Sequence, residues 1–249
     1  MLNFVLALQS PAVSKDWDYV SRLCERTLRS VCRQTSDQFR VFLSCNERPR
    51  MKFDHPSLRI IEDEFPRPEP TFDGRMTDKW IKLRRSLVAA GKHGDGYIMF
   101  VDADDCVHRD LAAYVAANPG LPGWRFTRGY LHDIGSRWIY PVNHFDKLCG
   151  TSAIVWLKAT EFPPDMTSPR EDHFILCQGH VKIAEYLAKR GTPLQPLPFA
   201  GAIYNTGTGE NSTGFSLRRQ GRRTRLARML SLRPVTRRMR ETFGLTAVP

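Results

Sequence analysis

Short apolar runs alternate with amphipathic stretches along the first half of the chain. Four runs have the length and composition of buried strands: Leu2–Leu8, Phe39–Ser44, Leu58–Ile61 and Tyr97–Val101. Apolar positions recur at helical spacing between them and after them, which predicts helices over Tyr19–Gln34, Thr77–Ala90 and Arg109–Ala117. This alternation predicts an α/β fold with a mostly parallel sheet flanked by helices. Ligands of such sheets bind at the carboxyl ends of the strands.

The second half of the chain has a less regular pattern. We expect a hairpin from Trp124–Tyr130 and Ser136–Pro141, followed by a strand over Thr151–Trp156. Two helical segments are predicted after it, Arg170–Gln178 and Val181–Lys189. The remaining segments are predicted to be extended at Leu194–Tyr204 and flexible at Gly207–Gly214, where glycines recur.

The apolar run at residues 97–101 ends in three carboxylates, Asp102, Asp104 and Asp105. Side chains alternate along a strand, so Asp102 and Asp104 are predicted on one side while Asp105 turns back to the loop backbone. Carboxylates this close repel one another unless a cation or hydrogen-bond donors offset their charge. Oxygen ligands favour Mg²⁺ or Mn²⁺, so the pattern predicts a metal that holds a phosphorylated substrate. The alternative is a solvated acidic turn that caps the next helix.

The net charge of +11 is concentrated near the C-terminus. Residues 218–240 contain ten arginines and no acidic residue, which leaves 27 basic and 26 acidic side chains elsewhere. The 249 residues suffice for one large domain or two small ones.

The six cysteines show neither C-x-x-C nor C-x-x-H spacing, so we expect small core residues of a reduced, cytoplasmic protein. They are Cys24, Cys32, Cys45, Cys106, Cys149 and Cys177. No apolar run approaches the roughly 18–20 residues that span a membrane. Residues 2–8 lack a basic flank and a cleavage site, which favours a first strand over a signal peptide.

Five segments taken in chain order resemble family 2-type glycosyltransferases of the GT-A fold, and more narrowly the bacterial rhamnosyltransferase family. They are residues 22–35, 39–44, 78–83, 100–105 and 170–173. The resemblance covers roughly residues 1–210. It implies a Rossmann-like GT-A domain that binds a nucleotide-sugar donor and a glycan or lipid-linked acceptor.

The resemblance also implies roles for residues at the strand ends. Asp102 and Asp104 would form the Asp-x-Asp pair, with Asp102 touching the sugar nucleotide and both holding Mn²⁺ or Mg²⁺. Lys79, predicted near the start of a helix, would contact phosphate, or is otherwise a solvated lysine. Four residues are placed near the nucleotide base by topology: Gln9, Ser10, Asn46 and Asp63. Relatives often carry a histidine-containing element near residues 204–212 that closes over the diphosphate. In this chain Asn205, Asn211 or Ser212 would take that role, or the metal alone would neutralise the diphosphate.

The acidic pair Glu171 and Asp172 matches the acceptor-side acidic pair of the family. Inverting transfer needs a carboxylate that takes the proton of the acceptor hydroxyl. The resemblance implies Asp172 as this base and Glu171 as its alternate. Acidic residues also favour helix N-termini for electrostatic reasons alone, which is the structural alternative.

We expect residues 1–215 to form the GT-A domain, with 1–117 as the nucleotide-sugar half and 118–215 as the acceptor half. Residues 216–249 form the predicted basic tail, with one or two helices interrupted by Pro234. A basic segment with partial apolar faces binds anionic membranes at about 1 kcal/mol per basic residue near the surface. Residues 216–240 would thus hold the enzyme on the inner face of the membrane. A solvated tail is the alternative, and nucleic acid is disfavoured because no aromatic residue interleaves the arginines.

Three other function classes are alternatives to glycosyl transfer. A phosphatase with an aspartyl nucleophile also places Asp-x-Asp after an apolar strand, although that strand usually comes near the N-terminus. Nucleotidyl transfer would need a glycine-rich loop after the first strand, which residues 9–12 do not provide. A binding protein with a degenerate acidic site, docked through its tail on membrane or nucleic acid, is the non-enzymatic alternative.

Overall fold

The computed structural model describes residues 1–210 and 231–246. It contains twelve strands within these ranges: β1 Leu2–Ala7, β2 Phe39–Cys45, β3 Leu58–Glu62, β4 Gly96–Asp102, β5 Cys106–Val107, β6 Gly123–Arg125, β7 Arg128–Asp133, β8 Trp138–Asn143, β9 Ala153–Leu157, β10 Gln195–Pro196, β11 Ala202–Thr206 and β12 Arg233–Pro234. The helices in the same ranges are α1 Trp17–Val31, α2 Phe72–Gly91, α3 Leu111–Ala117, α4 Phe174–Cys177, α5 Gly179–Lys189 and α6 Arg237–Phe243.

The larger sheet has the strand order β10-β6-β9-β4-β1-β2-β3. Strand β1 pairs in parallel with both β2 and β4, and β9 is antiparallel to β4 and β6. The carboxyl ends of β1, β2, β3 and β4 therefore meet at one edge of the sheet. The mixed α/β class, with a mostly parallel central sheet flanked by helices, is confirmed.

Helices cover both faces of this sheet because successive strand residues point to opposite sides. Phe4 and Leu6 of β1 pack in a core with α1 and α3, whereas Val5 packs in a second core with α2, α4 and α5. The start of α1 is fixed by Asp16, whose side chain accepts a hydrogen bond from the backbone amide of Tyr19 at 2.9 Å. This contact satisfies one of the free amides of the first turn.

The smaller sheet has the order β12-β8-β7-β11-β5 and includes residues near the C-terminus. Strand β12 pairs with β8, and Phe243 and Leu245 are buried in a core with Ile139 and Ile203. The hydroxyl of Ser30 in α1 donates to the backbone oxygen of Phe243 at 2.6 Å. Residues 233–245 therefore pack on the domain. The division of the chain at residue 215 stays a prediction.

Several elements differ from the sequence expectations. Helix α2 begins at Phe72, where the Thr71 side chain accepts from the amide of Gly74 at 3.0 Å, rather than at Thr77. The run predicted over 124–130 divides into β6 and β7, which belong to different sheets; β7 and β8 do form the predicted hairpin. The helix predicted over 170–178 is a short 3-10 turn followed by the four residues of α4. Cys177 is exposed, whereas the other five cysteines are buried as expected.

The predicted helices of residues 216–240 fall largely outside the described residues. In the described part, Pro234 lies in β12 and a helix follows at α6. No helix within residues 1–210 or 231–246 is long and apolar enough to cross a membrane.

Candidate functional site

A cavity of about 340 Å³ opens at the carboxyl ends of β1 and β4. Its polar end is formed by Gln9, Lys79, Asp102, Asp104 and Glu210. The rest of its wall is mainly apolar and is supplied by α1, α2, β4, β9, α4 and α5, with Arg75, Asp78 and His180 as its polar side chains. The structure thus brings the predicted Asp-x-Asp pair, Lys79 and Gln9 to one cavity.

Asp102 is the last residue of β4, and its carboxylate forms an ion pair with Lys79. Lys79 lies within α2 rather than near its start, because that helix begins at Phe72. Burial is the largest single effect and opposes the charge of Lys79, but the attraction and hydrogen bond of Asp102, with smaller effects of Cys149 and Asp104, together raise the pKa of the amine. The polar end therefore holds a fixed cation beside a fixed carboxylate.

Asp104 is half-buried at the same end of the cavity. Burial, followed by repulsion from Asp102, raises the pKa of its carboxyl to about 7. Its backbone oxygen accepts hydrogen bonds from Arg26 at 2.9 Å and from the side-chain amide of Asn205 at 2.8 Å. These two donors fix the turn that carries Asp104.

Asp105 is fully buried and turns away from the cavity. Its carboxylate accepts hydrogen bonds from Thr151 at 2.6 Å, from the Cys149 thiol at 3.1 Å and from the backbone amide of Asn205 at 3.1 Å. Burial and the neighbouring carboxylates raise its pKa well above the ordinary value. Asp105 therefore serves to hold the acidic turn in place, with Cys149 and Asn205 as partners that the sequence did not suggest for it.

Thr151 joins Asp105 to the Asp-x-Asp pair. Its hydroxyl donates to Asp105 and also accepts from the backbone amide of Asp102 at 3.0 Å. Thr151 is fully buried, and it lies 49 positions after Asp102 in the chain. No local motif marks this threonine in the sequence, so only the fold reveals it.

The four residues predicted near the nucleotide base do not lie together. Gln9 lines the cavity and donates to Glu210 at 2.9 Å. Ser10 is buried, and its hydroxyl accepts from the amide of Ala12 at 3.3 Å, which starts a 3-10 turn. Their role at the base stays a prediction.

Asn46 and Asp63 line a second, more open pocket together with residues 62–65. The side chain of Asn46 donates to the backbone oxygen of Phe65 at 3.1 Å. Asp63 pairs with Arg85 at 2.7 Å, and this hydrogen bond holds the pKa of Asp63 below its usual value. The structure therefore separates these two residues from the cavity that holds Asp102.

Glu171 and Asp172 lie in the 3-10 turn of residues 170–172, and both are exposed. Neither is among the side chains that line the described part of the cavity. The preceding Arg170 lies over the ring of Trp80 at 4.8 Å, and Trp80 does line the cavity. The structure thus places the acidic pair next to a cavity-wall contact but does not bring it to Asp102.

His180 at the start of α5 lines the cavity and was not singled out from the sequence. Burial lowers the pKa of its imidazole, although the charge of Asp102 acts in the opposite direction. Asn205, predicted as a phosphate contact, is fully buried and directs its amide to Asp104. Asn211 and Ser212 lie outside the described residues.

The carboxylates of Asp102 and Asp104 are a fitting pair of oxygen ligands for Mg²⁺ or Mn²⁺. Burial and then repulsion from Asp102 raise the pKa of Asp104, and a bound cation would relieve this repulsion. Residues 1–210 and 231–246 contain no cluster of three or more His, Cys, Asp or Glu side chains suited to a metal. Magnesium commonly binds through one or two carboxylates together with water and substrate phosphates, so two protein ligands are compatible with it.

No protein-family model and no curated protein matches this chain. Among solved structures, it is similar to TarS of S. aureus, at 13% identity and a TM-score of 0.40. That match covers 84% of this chain and 37% of the TarS chain. A second structure, S. aureus TarS 1-349, matches at 13% identity and a TM-score of 0.38, covering 82% of this chain and 60% of the other. The chain thus spans less than two thirds of the length of either structure.

Proposed function

We propose that this protein is a glycosyltransferase that moves a sugar from a nucleoside-diphosphate sugar to a glycan or lipid-linked acceptor. The observation that supports this proposal is the pair Asp102 and Asp104, which faces Lys79 in a cavity at the carboxyl edge of a parallel sheet. A diphosphate needs cationic partners, and a sugar needs hydrogen-bond acceptors; this end of the cavity offers both. The proposed class is a hexosyltransferase, and rhamnose is the candidate sugar that the resemblance of the sequence motifs suggests.

Asp102 and Asp104 are the residues that would hold Mn²⁺ or Mg²⁺. A divalent metal at this position would neutralise the charge that develops on the departing nucleoside diphosphate. Lys79 supplies a further positive charge from α2 and is fixed in place by its pair with Asp102. The buried Asp105 and Thr151 hydrogen-bond to each other, and Thr151 also bonds the backbone of Asp102, so they would hold the two ligand side chains in position.

The transfer is proposed to invert the anomeric centre, with Asp172 as the base and Glu171 as its alternate. The base takes the proton of the acceptor hydroxyl while that oxygen attacks the anomeric carbon. Both side chains are exposed and so are accessible to an acceptor that arrives from solvent. The preceding residue, Arg170, lies over the ring of Trp80 in the cavity wall, and this contact keeps the acidic pair next to the cavity and supports its proposed role.

The basic segment 216–240 is proposed to hold the enzyme on the inner, cytoplasmic face of an anionic membrane. Four arginines of its described part are exposed: Arg233, Arg237, Arg238 and Arg240. Such a surface attracts anionic lipid head groups.

The proposal is tested by thermal unfolding with a panel of nucleoside diphosphates, with and without Mn²⁺. A ligand at 100 times its dissociation constant stabilises the native state by about 2.7 kcal/mol, which raises the Tm of a protein of this size by roughly 5–10 °C. We expect one nucleotide to give a metal-dependent shift that Asp104→Asn abolishes. Asp37→Asn, at an exposed position, is the matched control and keeps the shift. A full shift in Asp104→Asn, or no shift with any nucleotide, would contradict the proposal.

A further inference from the structure

The inner part of the cavity, beyond the carboxylates, has a wall made of apolar side chains. It is formed by Trp80 and Leu83 of α2, Phe100 of β4, Ala153 and Val155 of β9, and Ile183 of α5. We call these six residues the apolar arm. They belong to the hydrophobic core between the sheet and helices α2, α4 and α5. The arm is part of the same cavity as Lys79, Asp102 and Asp104.

Half of the arm borders open space within the core, because Trp80, Phe100 and Ala153 are only half-buried while the other three residues are buried. Phe100 lies on the central strand β4 and is only half-buried, whereas Ile98, two positions earlier on the same face, is 1% exposed. Ala153 on the neighbouring strand β9 is also half-buried. A large aromatic side chain at the centre of a covered sheet is normally buried completely. Phe100 makes an edge-to-face contact with Trp80 at 6.3 Å between ring centroids, and its remaining exposed surface faces the cavity.

The mouth of the cavity also carries exposed apolar side chains. Phe72 at the start of α2 is 54% exposed and Leu148 is 46% exposed, and both line the cavity. Val181, which follows the cavity residue His180, is 45% exposed. The amine of Lys147 donates to the backbone oxygen of Val181 at 3.0 Å, which joins the loop bearing Leu148 to α5. An apolar ligand would therefore meet apolar surface from the mouth to the arm.

The chemistry of the arm is unsuited to a nucleotide sugar. The diphosphate and the sugar hydroxyls need charged or hydrogen-bonding partners, and leaving them unpaired against apolar walls is costly. Those partners stand at the other end of the cavity, at Lys79, Asp102 and Asp104. An acceptor with a hydroxyl-bearing head group and a hydrocarbon chain matches both ends at once.

We propose that the apolar arm binds the hydrocarbon chain of an amphiphilic acceptor and so sets its head group beside the carboxylates. The role of the head group as acceptor rests on the proposed function. The binding of the chain rests only on the cavity. The chain is an alkyl or prenyl group, because such chains fill an apolar space without polar atoms that need partners.

The test measures binding of n-alkyl β-D-glucosides, from methyl to nonyl, by titration calorimetry below their micelle concentrations. Each methylene buried in the arm raises the affinity by about fourfold. We expect this rise in the native sequence until the arm is filled. In Ala153→Phe, which places a ring in the arm, the rise stops several methylenes earlier. Ala116→Phe, at an exposed position of α3 outside the cavity wall, keeps the native dependence.

Equal affinities for methyl and octyl glucoside would overturn the inference, as would an unchanged chain-length dependence in Ala153→Phe. If Ala153→Phe does not fold, Ala153→Leu provides a smaller obstruction, and the same two outcomes decide. The metal-dependent Tm shift with nucleotide is measured on the same variants and is expected to persist in the variants of Ala153. If the affinity for glucosides depends on chain length but no nucleotide shifts the Tm, only the proposed function is contradicted. If a nucleotide shifts the Tm but the affinity for glucosides does not depend on chain length, only the inference about the apolar arm is contradicted.

Discussion

Thr151→Val tests whether the buried threonine holds the acidic turn in place. Valine has nearly the same shape as threonine but lacks the hydroxyl. The change therefore removes two hydrogen bonds, the one to Asp105 at 2.6 Å and the one from the amide of Asp102 at 3.0 Å. It leaves the packing around residue 151 almost unaltered.

The magnitude follows from the groups left without a partner. A buried polar group that loses its hydrogen bond costs about 1–3 kcal/mol. The amide of Asp102 loses the hydroxyl as its acceptor, while Asp105 keeps two other donors, from Cys149 and Asn205. The orphaned amide accounts for about 1–3 kcal/mol and the lost hydrogen bond to Asp105 for about 1 kcal/mol more, so we expect the free energy of unfolding to fall by about 2–4 kcal/mol. Loss of a donor to the carboxylate also raises the pKa of Asp105 further.

Urea unfolding of Thr151→Val and Thr27→Val provides the comparison. Thr27 in α1 is equally buried, but its hydroxyl has no hydrogen-bond partner among the described residues. Thr27→Val is expected to change stability by less than about 1 kcal/mol, toward higher stability, since it removes an unpaired polar atom. Metal-dependent nucleotide binding should weaken in Thr151→Val and stay native in Thr27→Val. If both variants lose the same free energy, Thr151 does not support the acidic turn.

Two further predictions concern the base and the pH dependence of stability. Asp172→Asn should keep the metal-dependent nucleotide shift and lose sugar transfer by at least about 100-fold, because general base catalysis contributes about 10²–10⁴-fold; unchanged transfer would exclude Asp172. Burial lowers the pKa of His108, whose Nδ1 accepts from the amide of Asp110 at 3.1 Å. The unfolded chain then binds more protons at this histidine below about pH 6.5, so the stability that His108 contributes is complete above that pH and falls as the pH decreases. His108→Asn should flatten this dependence in urea unfolding at pH 7.5 and 5.5, whereas His144→Asn, at an exposed position, should not; equal pH dependence in both variants would refute the assignment to His108.

The strands of the parallel sheet were predictable because each is a nearly continuous apolar run. Buried parallel strands have this composition since both faces are covered. The runs at residues 2–8 and 97–101 correspond closely to β1 and β4. The short strands β6 and β7 were harder to predict, because a single apolar run contains both and the chain passes from one sheet to the other between them.

Asp102 and Asp104 were predictable as cavity residues because they directly follow a buried strand. Their supporting residues were not, since the contacts cross long stretches of sequence. Thr151 and Asn205 contact the acidic turn from 49 and 101 positions away. Polar residues of this kind gain their role only when the strands are assembled.

The acidic pair Glu171 and Asp172 shows a different limit of sequence reasoning. A helix was expected over 170–178, but the turn at 170–172 is followed by a helix of only four residues. The side chain of Arg170 accompanies this interruption of the predicted helix, because its guanidinium donates to the backbone oxygen of Leu176 at 2.8 Å. This contact satisfies a carbonyl at the end of the segment and keeps the turn compact. The acidic pair consequently stands in solvent.

Helix α2 combines two lysines with opposite electrostatic behaviour. Burial lowers the pKa of Lys82 and raises that of Asp78, and Lys82 donates to Asp78 at 2.6 Å and to the backbone oxygen of Leu8 at 2.9 Å. In the sequence this i, i+4 pair resembles an exposed ion pair of little energetic value. In the fold it ties α2 to the end of β1, beside Gln9. Because Lys82 fixes the helix, the donor binding proposed above would let Lys79 turn from Asp102 to a phosphate without any movement of α2.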